Sequence, residues 1–177
     1  MTASSHNIVL TGFMGTGKST IGRMLAKRLQ YQFVDTDHLI ESRQNRTVAQ
    51  IFEQSGEAAF RALEKATAAE LAGQERLVIS TGGKMLLDPD NQLELSRNGR
   101  IFCLVADPEE IIRRLSQSHA RNKRPLLSSP DPERAIRELL QQRAEAYRQF
   151  EQIDTTGKSP NQICRHLLEL YLRNEVK

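Results

Sequence analysis

Glycine, lysine and serine near the amino terminus follow a spacing that is typical of phosphate binding. Residues 12–19, GFMGTGKS, fit the pattern G-x-x-x-x-G-K-[ST]. The glycines allow backbone N–H groups to turn inward onto a polyphosphate, and Lys18 adds a mobile positive charge for the β- and γ-phosphates. The hydroxyl of Ser19 can ligate Mg²⁺. The segment therefore predicts a loop that binds the phosphates of a nucleotide.

The residues on either side predict the elements that hold this loop. Residues 7–11, NIVLT, form an apolar run that indicates a strand. After the loop, apolar side chains recur at helical spacing, which predicts a helix over 18–29. The amino terminus of that helix adds the positive end of its dipole to the phosphate site. This order of strand, loop and helix is the one that the phosphate-binding interpretation requires.

Two acidic residues follow the second predicted strand. Ligands of an open parallel sheet bind beyond the carboxyl ends of its strands, so Asp35 and Asp37 are expected to face the nucleotide site. Because side chains alternate along an extended segment, both carboxylates are expected to point the same way. One could hold the hydration shell of Mg²⁺ while the other orients or deprotonates an attacking hydroxyl. The alternative is that Asp37 caps the helix that follows it.

Other polar and glycine positions have both a functional and a purely structural interpretation. Arg61 and Glu64 are one helical turn apart and can pair, but Arg61 could instead grip a carboxylate if it faced the site. Gly82 and Gly83 end a predicted strand, where they permit close backbone approach to a ligand or make a simple turn. Arg143 lies on a helix rich in Arg and Glu and carries little signal by itself.

A polar, basic segment rich in helix breakers spans about 116–131. Long loops of this kind are either disordered surface or functional lids, and beside a phosphate-binding loop we expect a lid. Arg124 within this segment could move over the phosphates and neutralise the charge that develops during phosphoryl transfer.

Short apolar runs alternate with helical patterns along the chain, which predicts an α/β fold, a three-layer sandwich of helices around a parallel sheet. Several helices have recognisable starts, because Pro108, Pro132 and Pro160 each follow a capping residue. The stretch 36–75 is long for one crossover connection and predicts a helical subdomain. We predict strands near 7–11, 32–35, 77–81, 100–106 and 152–155, and helices over 18–29, 37–44, 47–54, 57–73, 89–97, 108–118, 132–149 and 160–174.

Length and composition fit one globular domain, residues 1–177. The chain is 38% hydrophobic and 27% charged, with a formal net charge of +3. Lys and Arg are scattered over the helices, so nucleic-acid binding is not supported. The longest apolar run, 101–106, is too short to span a membrane, and no signal-peptide pattern is evident, which predicts a cytoplasmic protein. Cys103 and Cys164 are interpreted as core residues without a disulfide or a metal.

In this order, the motifs resemble those of the shikimate kinase family. The match covers almost the whole chain: the loop 12–19, Asp-x-Asp at 35–37, Phe-Arg-x-x-Glu at 60–64, Thr-Gly-Gly at 81–83, Arg-Pro-Leu-Leu at 124–127 and Arg-x-x-x-Tyr at 143–147. The resemblance implies a fold like that of the nucleoside monophosphate kinases, with a five-stranded parallel sheet in the order 2-3-1-4-5. It also implies MgATP-dependent phosphorylation of the shikimate 3-hydroxyl to shikimate 3-phosphate, in the pathway to chorismate and aromatic amino acids.

The resemblance also implies roles for individual residues. Lys18, Asp37 and Arg124 would be the catalytic residues, and Ser19 would ligate Mg²⁺ with Asp35 reaching the ion through water. The two arginines among the substrate ligands would bind the carboxylate of shikimate. The residues expected to bind ATP are Gly15, Thr16, Gly17, Lys18, Ser19, Thr20 and Arg124. Those expected to bind the substrate are Asp37, Arg61, Gly83 and Arg143.

Two features depart from the family pattern. Lys84 stands where the family usually has a third glycine, and a lysine at a positive φ would cost about 1 kcal/mol or more. Its side chain could point to solvent, contact a substrate carboxylate, or favour an acceptor other than shikimate. The lid is also a few residues longer than in many members, which leaves Arg113, Arg114 and Arg121 as candidates for the contact with adenine.

Three functions are compatible with these residues. The first is a shikimate kinase; the second is a kinase of another small carboxylated polyol or cyclitol, such as gluconate, for which Lys84 is the main support. The third is a non-catalytic nucleotide-binding regulator, but none of Lys18, Asp37 and Arg124 is lost. No heptad seam or apolar surface stripe is evident, so we expect a monomer.

Overall fold

A computed structural model describes residues 6–117 and 130–173, and its centre is one parallel sheet of five strands. The strand order is β2-β3-β1-β4-β5, which confirms the predicted fold class and the sheet order that the resemblance implied. In chain order, the strands are β1 (Asn7–Gly12), β2 (Gln32–Asp35), β3 (Leu77–Ser80), β4 (Gly99–Val105) and β5 (Glu151–Asp154).

Helices cover both faces of the sheet, as parallel strands require. A short 3-10 helix, Met85–Leu87, follows β3 and was not predicted. The α-helices of the described ranges are α1 (Lys18–Leu29), α2 (Thr36–Gln44), α3 (Val48–Ala72), α4 (Pro89–Ser96), α5 (Pro108–Gln117), α6 (Pro132–Arg148) and α7 (Pro160–Arg173).

The central strand β1 is buried on both faces, and each of its six residues is buried. Ile8 and Leu10 pack into the cluster beneath α1 and α7. Val9 points to the opposite face, where α3, α4, α5 and α6 supply most of the apolar partners. Because both faces are covered, the strand is an almost continuous apolar run, and the phosphate-binding loop follows directly from its end.

The helix predicted over 47–54 and the helix predicted over 57–73 form one element, α3, with a kink. Thr47 starts it with a capping box, in which its hydroxyl accepts from the Gln50 N–H and the Gln50 side chain accepts from the Thr47 N–H. At Gly56 the backbone leaves the helical region, with φ 81° and ψ 171°. The two predicted helices are therefore confirmed, since α3 consists of two helical parts that meet at the non-helical Gly56.

A small third apolar cluster joins α2 to residues of α3 on both sides of its kink. Ile40, Ile51 and Phe60 are its buried members. This cluster is separate from the two large ones that sandwich the sheet. In the described ranges, none of the helices is long and apolar enough to cross a membrane.

Candidate active site

The loop between β1 and α1 holds its lysine against its own backbone. The Lys18 ammonium donates to the carbonyls of Gly12 at 2.7 Å and Phe13 at 3.0 Å. The buried Thr16 hydroxyl also donates to the Phe13 carbonyl, at 2.8 Å. Positive φ angles at Gly12, Gly15 and Gly17 give the loop its shape. The cation therefore already lies over the loop that the sequence assigns to phosphate.

Ser19 and Asp35 bring two oxygen donors together beside the loop. The Ser19 hydroxyl donates to Asp35 Oδ2 at 2.9 Å. Hydroxyl and carboxylate oxygens suit Mg²⁺, which keeps several waters and takes most remaining ligands from substrate phosphates. In residues 6–117 and 130–173, no cluster of three or more His, Cys, Asp or Glu side chains could hold a metal. The pair therefore fits a magnesium ion that is bound chiefly through nucleotide and water.

Asp35 and Asp37 both line the site, but the predicted reason was wrong. The chain is extended only as far as Asp35, and α2 begins at Thr36, so Asp37 lies in the first helical turn. Asp35, rather than Asp37, is the helix cap: its side chain accepts from the His38 N–H at 3.3 Å. The change from strand to helix, and not alternation along a strand, places the two carboxylates on one side.

The surroundings of Asp37 oppose its charge. Burial is the main cause that raises the pKa of Asp37 from 3.8 to about 6, and repulsion from Asp35 adds to the shift. The positive charge of Lys18 acts in the opposite direction. A carboxylate with this pKa is largely ionised at neutral pH yet accepts a proton more readily than an exposed aspartate.

The glycine pair after β3 lies between groups of opposite charge. The Gly82 N–H donates to the Thr36 hydroxyl at 3.1 Å, and a Cβ at Gly82 would lie 2.7 Å from Asp37 Oδ1. On the other side, the Tyr147 hydroxyl donates to the Gly83 carbonyl at 2.6 Å, and a Cβ at Gly83 would lie 3.1 Å from an Arg143 nitrogen. A side chain at either glycine would therefore have to shift the Asp37 carboxylate or the Arg143 guanidinium.

Arg61 is held by two carboxylates of its own helix. Its Nε and one terminal nitrogen donate to Glu57 Oε1 at 3.2 Å and 3.1 Å, and the other terminal nitrogen donates to Glu64. The predicted pair of Arg61 with Glu64 is thus present. The Glu64 side chain is only 2% exposed. Burial raises the pKa of Glu64, and the Arg61 guanidinium opposes this shift.

Lys84 adopts an ordinary backbone conformation. Its φ is −104°, so a lysine in place of glycine costs no left-handed strain at this position. The ammonium pairs with Glu57 Oε1 at 3.0 Å, and 47% of the side chain is exposed. Glu57 did not emerge from the sequence as a site residue, although its i,i+4 spacing to Arg61 was a usable signal.

A single cleft of about 730 Å³ brings most of the sequence-predicted residues together. Arg143 lies over the Phe13 ring, 5.6 Å from its centroid. Arg124, Arg121 and most of the segment 116–131 lie outside the described residues. The predicted site residues that line the cleft are Gly15, Gly17, Lys18, Ser19, Thr20, Asp35, Asp37, Arg61, Gly83 and Arg143. Thr16 faces the loop interior.

Two of the arginine candidates for the adenine contact differ in their surroundings. Arg114 lines the cleft and donates to the Gly15 carbonyl at 3.3 Å and to the Thr155 carbonyl at 2.7 Å. Arg113 pairs with Glu110 on the exposed side of α5, at 2.8 Å. Arg114 therefore connects the phosphate-binding loop to the segment after β5, and the contact with adenine stays a prediction.

Similarity to known proteins identifies the family to which this chain belongs. A family model described as shikimate kinase matches residues 14–171. The chain belongs to the shikimate kinase family. Shikimate kinase from Thermoanaerobacter pseudethanolicus is 42% identical over 168 residues, which are 94% of this chain and 96% of that protein. Shikimate kinase from Pelotomaculum thermopropionicum is 45% identical over 163 residues, covering 92% and 93%.

Solved structures of the shikimate kinase family share the fold over the full length. Shikimate kinase from Acinetobacter baumannii in complex with shikimate superposes with a TM-score of 0.89, at 34% identity over 99% of this chain and 97% of that chain. A gluconokinase from Sinorhizobium meliloti 1021 reaches a TM-score of 0.54 at 17% identity, which is a likeness of fold alone. As a member of the shikimate kinase family, the chain is an ATP-dependent small-molecule kinase that uses Mg²⁺.

Proposed function

We propose that this kinase transfers the γ-phosphoryl group of MgATP to the 3-hydroxyl of shikimate, giving shikimate 3-phosphate and ADP. The observation that carries the proposal is the cleft in which Arg61, Arg143 and Asp37 lie together beside the phosphate-binding loop. Two guanidinium groups suit a carboxylate, and a carboxylate suits ring hydroxyls. The relatives that cover almost the whole chain are named as shikimate kinases, which supports the same acceptor.

The acceptor would be fixed by its carboxylate at one end and its hydroxyls at the other. Arg61 on α3 and Arg143 on α6 line the same cleft as Gly83, and a Cβ at Gly83 would lie 3.1 Å from an Arg143 nitrogen. Fixing the acceptor in this way makes the attack effectively intramolecular, which is a large part of what a kinase must supply.

Asp37 would act on the reacting hydroxyl. As the hydroxyl oxygen forms its bond to the γ-phosphorus, the Asp37 carboxylate accepts the hydroxyl proton, and the bond from the γ-phosphorus to the bridging oxygen of ADP breaks. The pKa of Asp37, raised by burial to about 6, makes this carboxylate a stronger base than an exposed one.

The donor would lie on the loop that begins at the end of β1. Residues 15–20 would bind its phosphates, with Lys18 leaving the Gly12 and Phe13 carbonyls for the β- and γ-phosphates. Ser19 would ligate Mg²⁺ and Asp35 would hold one of its waters; the ion, when bound, neutralises charge on the β- and γ-phosphate oxygens. Arg124, in the predicted lid over about 116–131, would add positive charge to the phosphates.

The larger organisation is also a proposal. The region 36–75 would serve as the acceptor-binding subdomain of a single kinase domain, which its separate apolar cluster supports. The enzyme would act as a monomer, and a cytoplasmic location stays a prediction from the sequence.

One assay tests the proposal against its alternatives. Purified protein is incubated with MgATP and shikimate, gluconate or no acceptor, and ADP release is followed. We expect ADP release at a high rate with shikimate alone. Turnover with gluconate but not shikimate would replace the proposed acceptor. Failure to turn over with a broad panel of acceptors would favour the nucleotide-binding regulator instead.

A further inference from the structure

One carboxylate oxygen at the rim of the cleft is shared by two cationic side chains. Glu57 Oε1 accepts from the Lys84 ammonium at 3.0 Å and from two nitrogens of Arg61 at 3.2 Å and 3.1 Å. Lys84 follows the glycine pair after β3, and Glu57 and Arg61 lie on α3. The shared oxygen therefore links the two elements that would enclose the acceptor.

Glu57 occupies the part of Arg61 that a bound carboxylate would need. Bidentate binding of a carboxylate uses two adjacent N–H groups along one edge of the guanidinium. The edge formed by Nε and one terminal nitrogen is taken by Glu57, and the remaining terminal nitrogen donates to Glu64. An acceptor carboxylate must therefore compete with a carboxylate of the protein itself.

Of the two glutamates, Glu57 is the one that an acceptor can displace. The Glu64 side chain is 2% exposed, so moving it from Arg61 would leave a buried charge unpaired. The Glu57 side chain is 55% exposed and can turn toward solvent. It also follows Gly56 directly, at the kink of α3.

We propose that Glu57 competes with the acceptor carboxylate for Arg61 and that Lys84 binds Glu57 when the acceptor displaces it. Lys84 is then a positioning residue that raises acceptor affinity without touching the acceptor. This inference rests on the proposed function, because it needs an acceptor that carries a carboxylate.

The charges around Glu57 support this arrangement. Once Arg61 is paired with an acceptor carboxylate, Glu57 still has Lys84 within hydrogen-bonding distance as a counter-charge. Without Lys84, Arg61 would be the one cation of these two that is left to pair with Glu57. Glu57 would then compete more strongly with the acceptor carboxylate for Arg61. The hydrogen bond from Lys84, followed by that from Arg61, holds the pKa of Glu57 below its usual range.

A double-mutant cycle tests the inference, with KM and kcat for shikimate measured at saturating MgATP. We expect Lys84→Ala to raise KM about three- to fivefold, the range of a partly exposed ion pair, with the effect on KM rather than kcat. We expect Glu57→Gln to lower KM about twofold or more, since the competing charge is removed. In the Glu57→Gln background, Lys84→Ala should no longer raise KM. With Glu57 present, Lys84→Arg keeps the cation and should leave KM at the wild-type value.

A control variant distinguishes this role of Lys84 from a general effect of losing a surface lysine. Lys65, on α3, pairs with Asp88 and Asp90 outside the cleft, and Lys65→Ala should leave KM at the wild-type value. An equal rise in KM for Lys84→Ala with and without Glu57 would show direct contact with the acceptor and overturn the inference, as would no rise at all. Absence of shikimate turnover in the wild-type protein would instead refute the proposed function.

Discussion

Asp37 is placed where its charge is unfavourable for folding and where a carboxylate would suit the proposed proton transfer. Its carboxyl is buried beside Asp35, and its pKa is raised to about 6. The folded protein therefore binds a proton at Asp37 more tightly than the unfolded chain does, whose carboxyl titrates near 3.8. This contribution to stability is fully present below about pH 4 and is lost as the pH rises through about 6.

The substitution Asp37→Asn should have opposite effects on activity and stability. We expect kcat to fall by about 10²- to 10⁴-fold, because the amide accepts no proton. The free energy of unfolding should rise by up to about 3 kcal/mol at pH 8 and change little at pH 4. Urea denaturation at the two pH values measures this difference. For the wild type, kcat/KM should fall as the pH drops through about 6. Equal stabilisation by Asp37→Asn at both pH values would contradict the raised pKa of Asp37.

Arg61 should act through its planar geometry as well as its charge. Arg61→Lys keeps a cation beside the buried Glu64 but loses the paired N–H groups, so we expect KM for shikimate to rise about tenfold with a smaller change in kcat. Arg43 is the matched control, since it also binds a carboxylate with two nitrogens, that of Glu70, at 2.6 Å each. Arg43→Lys should leave KM at its wild-type value, and a tenfold rise there would argue against the assigned role of Arg61.

Residues within short motifs were predictable at this scale. Motif spacing correctly brought Lys18 and Ser19 into one cleft with Asp35 and Asp37, although the expected alternation along a strand was not the cause. Spacing could not identify Glu57 as the partner of Lys84, because the two are 27 residues apart and meet only through the fold. The sequence likewise does not determine whether the φ angle at Lys84 is positive, so this angle is known only from the structure.

At the scale of the elements, α3 packs against two clusters: Ile51 before the kink and Phe60 just after it belong to the small cluster with α2, whereas Ala68 and Leu71 pack into the large core. The kink itself divides α3 into two helical parts. Gly56 joins them with φ 81° and ψ 171°, angles that residues with a Cβ rarely adopt. A Cβ at this position would meet no atom within 4 Å, so any cost of substitution is conformational.

The kink predicts a specific loss of stability on Gly56→Ala. We expect the free energy of unfolding to fall by about 1–2 kcal/mol, because the backbone is strained or α3 straightens. KM for shikimate should rise as well, since Glu57 and Arg61 follow the kink. Gly73→Ala makes the same change at φ −83°, where the nearest atom to a Cβ is 3.6 Å away, and should be close to neutral. Chemical denaturation and steady-state kinetics compare the two variants.

Elements were predictable from the sequence where periodicity and caps agreed. Pro132 and Pro160 begin α6 and α7 as predicted. The break at Gly56 was predicted as well, because the sequence indicated one helix over 47–54 and another over 57–73. The start of α2 at Thr36 was missed because Asp35 ends a strand and caps a helix at once.

At the scale of the whole molecule, the described residues expose little apolar surface for association. Among the described residues, Leu93 and Leu172 are the large hydrophobic side chains classed as exposed, at 58% and 50%. We expect one species of 20.1 kDa in sedimentation velocity experiments over a range of protein concentrations. A concentration-dependent shift to twice that mass would contradict the monomer.

The sheet order itself came from the resemblance, since periodicity predicts strands but not which strands are neighbours in the sheet.

The burial of β1 predicts that amide hydrogens exchange on different timescales on the nucleotide side and the acceptor side of the cleft. Its amide groups lie between β3 and β4 and under helices on both faces, so Val9 and Leu10 should exchange hydrogen only when the whole molecule unfolds. The amides of α2, which rests on the small cluster around Ile40, should exchange through local opening and much faster. The proposed nucleotide loop would thus be attached to the slowest-exchanging strand, and the proposed acceptor side to a region that opens independently.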